Sequence, residues 1–211
     1  MQKLDLKKDL KHLYQPTAKQ VTLVDVPAFN FAMLDGVVPA GTSPGDSEEY
    51  RQSLEALYGI AYTLKFRSKL RAEDSIDYPV MALEGLWWNQ SAQFDFASKD
   101  KEPMYFTSMI MQPEHLTEAD FLAGLGELKR KRPNSALDKM RFERFHEGLS
   151  IQIMHIGPYS EEPRTLAKME AYLAEHGYRF RGRHHEIYLG DPRRAQPEKL
   201  KTVLRHPVEK A

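Results

Sequence analysis

The first readable pattern in the chain is helical. Leu54, Leu57, Ala61 and Leu64 recur at steps of three and four, which marks the buried face of a helix over about residues 48–66. Beside it runs a second stripe, Tyr58, Tyr62 and Phe66, spaced by fours. Tyrosines need their hydroxyls satisfied, so the stripe suits either a core edge or the rim of a polar cavity. The preceding segment 41–50 is turn chemistry, with Ser47 as half a capping box and Glu48 and Glu49 favouring a helix N-terminus. Upstream, Leu4, Leu6, Leu10, Leu13 and Tyr14 alternate with lysines and predict a short helix or docking arm closed by Pro16. Residues 21–39, β-branched and apolar but broken by Pro27, predict an interrupted strand or two short ones.

Further on, 78–88 and 103–113 read as paired strands joined by the polar segment 89–102. Residues 117–133 predict a helix, with Thr117 as N-cap, acids in the first turn and basic residues before Pro133. Its KRKR run complements the helix dipole and is assigned no function. Residues 134–148 fit a short strand at MRFERF or a helical turn. From Leu149 the earlier order returns: strand 149–157, turn 158–163, helix 164–177 ending at Gly177, strand 184–190, turn 191–197, strand 199–208. Strand, helix, strand, strand thus occurs twice, which is a repeat of pattern rather than of close identity. The expected fold is α+β: tandem β-α-β-β modules about a pseudo-twofold axis, forming a mostly antiparallel sheet with helices on one side and a central ligand cleft. Half one spans about 18–113, the connecting helix 117–133 and half two 134–208, within a single domain of 1–211.

The repeat sharpens one stretch, LEGLWW at 83–88, where Glu84 precedes the only two tryptophans, Trp87 and Trp88. Aromatic faces beside an acid suit a flat or cationic ligand; the alternative is that one tryptophan fills the core and the other covers its rim. Glu84 and Glu186 occupy equivalent strands, so both acids are expected to approach one cleft. Period-two alternation puts His184, Glu186 and Tyr188 on one strand face and His185, Ile187 and Leu189 on the other. Around Glu84 it groups Glu84, Leu86 and Trp88 and leaves Trp87 opposite, unless Gly85 makes a bulge. Trp88 is therefore preferred over Trp87 as pocket lining.

Composition removes several function classes. Thirty basic and thirty acidic residues balance, so no overall field favours nucleic acid or an anionic membrane. The absence of cysteine excludes disulfides, thiolate metal sites and cysteine nucleophiles. The charged start has neither an apolar secretion signal nor a membrane span, and cytoplasmic residence is the default expectation. Dinucleotide, P-loop, serine-hydrolase and HExxH motifs are absent. His184 and His185 point to opposite strand faces; a metal site with His155 and Glu186 is conceivable but disfavoured, and no metal or cofactor is expected.

The paired modules and the pattern Glu186, Tyr188, Asp191, Pro192 within 184–192 resemble the GyrI-like small-molecule-binding domain, also the effector domain of multidrug-sensing regulators. The resemblance covers about residues 18–208 and implies that Glu186 sits in the central cleft facing the ligand. A narrower likeness, carried by 10–16, 62–66 and 83–88, is to stand-alone members described as cyclopropanoid cyclohydrolases. These hydrolyse the cyclopropane of DNA-alkylating natural products such as yatakemycin through an aromatic tunnel. What it implies is a bacterial detoxifying hydrolase, or a binder of planar aromatic or cationic lipophilic molecules, acting as monomer or homodimer. A non-catalytic sequestering protein and a gyrase-inhibitor-like interaction protein are the alternatives. About 20 residues precede the first strand, too few for a DNA-binding helix-turn-helix module.

Under the hydrolytic reading, Glu186 is the first candidate for general base and Glu84 the second. Tyr188, Tyr105 or a nearby histidine would donate a hydrogen bond to the carbonyl that gains charge. The ligand walls are Trp88, Trp87, Tyr58, Tyr62, Phe66 and Tyr105, with His155 and His184 beside them.

Overall fold

The computed structural model describes residues 1–89 and 102–211. The polar connection expected at 89–102 falls almost wholly outside the described residues. Strand β1 (Gln2–Lys3) leads into two short helices, α1 (Leu6–Asp9) and α2 (Lys11–Tyr14), which bury Leu13 and Tyr14. Then follow β2 (Thr22–Val26), β3 (Phe29–Val38), α3 (Glu48–Lys69), β4 (Ile76–Asp77), β5 (Leu83–Trp88), β6 (Met104–Gln112) and α4 (Glu118–Lys131). The second half runs β7 (Arg141–Phe145), β8 (Gly148–Ile156), α5 (Glu162–His176), β9 (Tyr178–Phe180), β10 (His184–Tyr188) and β11 (Lys201–Lys210).

Local chemistry accounts for the helix limits. Ser47 accepts the Tyr50 amide at the start of α3, and Thr117 forms a full capping box with Asp120 at the start of α4. Pro163 fits the first turn of α5, so that helix begins at Glu162, earlier than expected, and Gly177 ends it in the left-handed region at φ 67°. The 134–148 segment resolves into a 3₁₀ turn followed by the strand alternative, β7.

The strands form a nine-stranded sheet in the order β2-β8-β11-β10-β5-β6-β3-β7, with β9 beside β11, and the β8-to-β7 pairs of this path are antiparallel. A separate parallel pair joins β1 to β4. The order reads symmetrically outward from the central pair β10–β5: β11 and β6 lie next, then β8 and β3. The outermost strands are exchanged, β2 lying beside β8 and β7 beside β3. The repeated pattern in the sequence is therefore also a repeated order in the sheet.

One sheet face carries the long helices. Leu57, Ile60, Ala61 and Leu64 of α3 are buried in the larger core, while Met169 and Leu173 of α5 pack with Ile151, Ile153 and Leu204 of β8 and β11. Between these two packing regions the middle of the sheet is open, and there β10 and β5 face the cleft. Among the described residues no helix is long and apolar enough to cross a membrane.

Candidate functional site

Register decides what faces the cleft. Glu186 pairs with Gly85, Tyr188 with Leu83 and His184 with Trp87, so these positions share the helix-bearing face. Glu84 pairs with Ile187 and lies on the opposite face with His185, Leu86 and Trp88. Gly85 makes no bulge; it sits in an unbroken ladder opposite both Glu186 and Ser108. A Cβ at Gly85 would come within 2.7 Å of Trp87 Nε1 and 3.2 Å of Tyr188 Oη. Glycine here makes room for the Trp87 indole to lie back over the strand.

That indole begins a directed chain. Trp87 Nε1 donates to Tyr188 Oη at 2.8 Å, and Tyr188 Oη donates to Glu186 Oε2 at 2.7 Å. On its other side Glu186 Oε1 lies 3.4 Å from His184 Nε2. His184 neighbours His206 at 5.7 Å between ring centroids, and burial, then the proximity of His184, push His206 down to about 3. Aromatic rings close around the acid: Tyr50 contacts Trp87 and Phe106 at 5.4 and 5.0 Å, and Tyr159 meets Tyr188 edge-on at 5.9 Å. Burial, reinforced by the Glu186 carboxylate, pushes the phenols of Tyr50, Tyr159 and Tyr188 up, so they act as neutral hydrogen-bond donors.

A second acid joins the cleft from α5. Glu162 is 1 % exposed, and its Oε1 has no hydrogen-bond partner among the described residues. Burial, then Glu186, push the Glu162 carboxyl well above the usual carboxylate range. Glu162 is thus a neutral acid beside Glu186 at pH 7.

The cleft opens into a continuous depression of about 2710 Å³ that also runs along α4 and the N-terminal segment; around Glu186 it is lined by Tyr50, Tyr58, Tyr62, Phe66, Trp87, Tyr159, Glu162 and Tyr188. Ligand pockets for drug-sized molecules are roughly 300–1,000 Å³, so one ligand would fill only part of it. Tyr58, Tyr62 and Phe66 are 39 %, 49 % and 50 % exposed, and form a ladder along the α3 wall.

Several expected site residues lie elsewhere. Glu84 does not meet Glu186, because strict alternation on antiparallel neighbours with Ile187 opposite Glu84 sends the two acids to opposite faces. Glu84 is 1 % exposed in a buried polar network: Tyr14 Oη donates to Oε1 at 2.5 Å, and His185 Nε2 lies 3.0 Å from Oε2. His185 Nδ1 contacts Glu147 at 3.0 Å, and Arg205 reaches Glu147 at 3.2 Å and the Leu13 carbonyl at 2.7 Å. Two glutamates, an arginine and a histidine meet there. Burial alone would lower His185, but Glu147 and Glu84 outweigh it and raise it to about 9. Burial would likewise raise Glu147, but His185 and Arg205 hold it down at about 2. The network clamps the N-terminal helices to the back of the sheet.

Trp88 and Tyr105 are paired on that same back face and stack at 6.0 Å, with the Arg183 guanidinium 3.5 Å above the Trp88 ring. They do not line the cleft, and the preference for Trp88 over Trp87 is reversed by the register. His155 faces the helices but packs beneath α5, bonded to Thr165 at 2.8 Å and the Pro158 carbonyl at 3.1 Å; it too is not among the lining residues. His184 stands behind Glu186 rather than on the cleft surface. Among the described residues no three His, Asp or Glu side chains are placed to hold a metal ion.

Tyr50, Phe106, Tyr159 and Glu162 were not singled out from the sequence. Tyr50 carried a usable signal: Tyr50, Leu54, Tyr58, Tyr62 and Phe66 form one stripe at steps of four, and all five line the cleft. Phe106 is legible only once β6 is paired with β5, which sets it opposite Trp87. Tyr159 and Glu162 reach the cleft through the placement of α5, which no local pattern announces.

Comparison with known proteins agrees with this architecture. Two structures from Listeria innocua each cover their whole chain and 98 % of this one: an uncharacterized conserved protein at 38 % identity and TM-score 0.86, and a hydrolase at 36 % identity and TM-score 0.82. The EcmrR C-terminal domain, at 12 % identity and TM-score 0.53, shares the fold over 91 % of this chain and 98 % of its own. No protein with a curated description is matched significantly by the sequence. The model of the GyrI-like small molecule binding domain matches residues 19–209. This chain belongs to the family of GyrI-like small-molecule-binding domains.

Proposed function

We propose that the protein adds water across a strained, electrophilic three-membered ring borne by a planar aromatic substrate. The observation that carries this reading is Glu186: a carboxylate at the floor of an aromatic cleft, oriented by Tyr188 and through it by Trp87. Stacking against Trp87, Tyr50 and the α3 ladder holds a flat molecule, and Glu186 accepts the proton of a water placed beside the electrophilic carbon. The water oxygen bonds to that carbon, the ring carbon–carbon bond breaks, and its electron pair moves to a conjugated carbonyl oxygen. A phenol donor aimed at this oxygen is worth about 3 kcal/mol of the barrier in a dry site. The hydrolase described from Listeria innocua, at 36 % identity over nearly the full chain, supports an enzymatic role. The physiological role would be detoxification of such alkylators.

The half-exposed ladder of Tyr58, Tyr62 and Phe66 also favours a second reading, capture of lipophilic aromatic compounds without chemistry. Mass spectrometry after incubation with a cyclopropane-bearing aromatic alkylator separates the two. Hydrolysis yields a product heavier by one water, and Glu186→Gln abolishes it. Recovery of intact ligand from the wild-type protein selects sequestration, and undiminished turnover by Glu186→Gln removes Glu186 from the base role.

A further inference from the structure

We propose that Glu162 supplies the proton that completes the reaction: as the strained bond breaks, its carboxylic acid protonates the carbonyl oxygen that receives the electron pair. The inference rests on the hydrolytic reading of the same cleft and adds to it a second, separately placed carboxyl group.

The geometry is that of a side chain set aside from structural duty. Glu162 opens α5, is 1 % exposed, and lines the cleft with Glu186. Its Oε1 accepts no hydrogen bond from the described residues, in contrast to Glu186, whose Oε2 is held by Tyr188. A buried carboxyl whose Oε1 has no bonded donor, facing a second acid, is stable as the neutral acid, and a neutral acid is a donor. The ionisable groups facing it are Glu186 and Tyr188 of β10 and Tyr159 of the preceding turn. None of these is a cation. The N-terminus of α5 favours the anion, but such an end shifts a carboxyl by about one pKa unit. Burial and Glu186 act the other way and prevail, holding the Glu162 carboxyl well above the usual carboxylate range. The phenols at the cleft floor are pushed up from a much higher starting value. Glu162 is consequently the carboxylic acid at the floor that is placed to donate.

The two glutamates then divide the work. Glu186 takes the proton from the attacking water, and Glu162 gives its own to the carbonyl oxygen, so the product leaves with one water added. Glu162 is left ionised and Glu186 protonated. Return of that proton from Glu186 to Glu162 resets the site without a co-reactant.

The test compares wild type, Glu162→Gln, Glu162→Asp and Glu186→Gln, with a cyclopropane-bearing planar alkylator as probe. Glu162→Gln keeps ligand affinity within about threefold but lowers kcat by about 10²–10⁴. The alkaline limb of the wild-type kcat profile disappears with it, and Glu162→Asp restores part of the rate. Wild-type turnover by Glu162→Gln with Glu186→Gln inactive overturns the proton-donor role alone, whereas turnover by Glu186→Gln overturns the hydrolytic reading beneath it. The infrared spectrum gives a readout independent of turnover. At neutral pH the wild-type protein shows the carbonyl stretch of a protonated carboxyl, absent from Glu162→Gln; a wild-type spectrum without that band refutes the proposal.

Discussion

Replacing Gly85 with alanine tests the construction of the cleft floor. The added methyl would stand 2.7 Å from Trp87 Nε1 and 3.2 Å from Tyr188 Oη, against ordinary contacts of 3.4 Å or more. The indole must retreat by several tenths of an ångström, which breaks the 2.8 Å bond to Tyr188. A buried N–H left without its acceptor costs about 1–3 kcal/mol, and overpacking costs about 1–3 kcal/mol. The smaller backbone entropy of alanine returns about 0.5–1 kcal/mol. At mid-range values the net expectation is a loss of about 3 kcal/mol, or about 6–12 °C in Tm for a chain of this size. Urea unfolding should show the loss as a lower midpoint at unchanged slope. Ligand affinity should fall too, since the Trp87 wall is displaced and Tyr188, which orients Glu186, loses its support from the indole. A Gly85→Ala protein as stable as wild type, with unaltered affinity, would refute the account of how Trp87 is seated.

Two predictions concern the buried network behind the sheet, and one pH series of unfolding measurements checks both. His185 is raised to about 9 when folded, so its stabilisation is complete below its ordinary value near 6.5 and is lost as pH rises towards 9. Stability in that window should fall with a slope of ~1.4 kcal/mol per pH unit for its one proton, and Glu162, also raised, adds to the fall until it is replaced by glutamine. At the acid end Glu147 is held at about 2, so its stabilisation is present above its ordinary value near 4.5 and disappears as pH drops towards 2. Stability independent of pH across these two windows would contradict the charge assignment of the network.

Much of the fold was legible because its signals are local. The α3 and α4 starts followed from Ser47 and Thr117, the α5 end from Gly177, and the doubled strand-helix-strand-strand order from periodicity. The exchange of β2 and β7 between halves was not legible, because it is a matter of which distant edges pair. The same distinction governs the site. Alternation within β5 and within β10 was read correctly, yet Glu84 and Glu186 were expected to converge, because the facing of one strand relative to the other depends on a single residue of register. His185 looked like a lone histidine, since its partners Glu84 and Glu147 come from separate elements. Glu162 looked like a turn residue, since only the docking of α5 buries it.

The central claim is that ligand lies on the helix-bearing face, over Glu186 and against Trp87, and the two tryptophans report the two faces separately. The direct measurement is fluorescence titration with a planar aromatic ligand in Trp88→Phe, where only Trp87 emits, and in Trp87→Phe, where only Trp88 emits. Saturable quenching of Trp87 and an unresponsive Trp88 are expected. Quenching of Trp88 with a silent Trp87 would place the ligand on the back of the sheet and contradict the site.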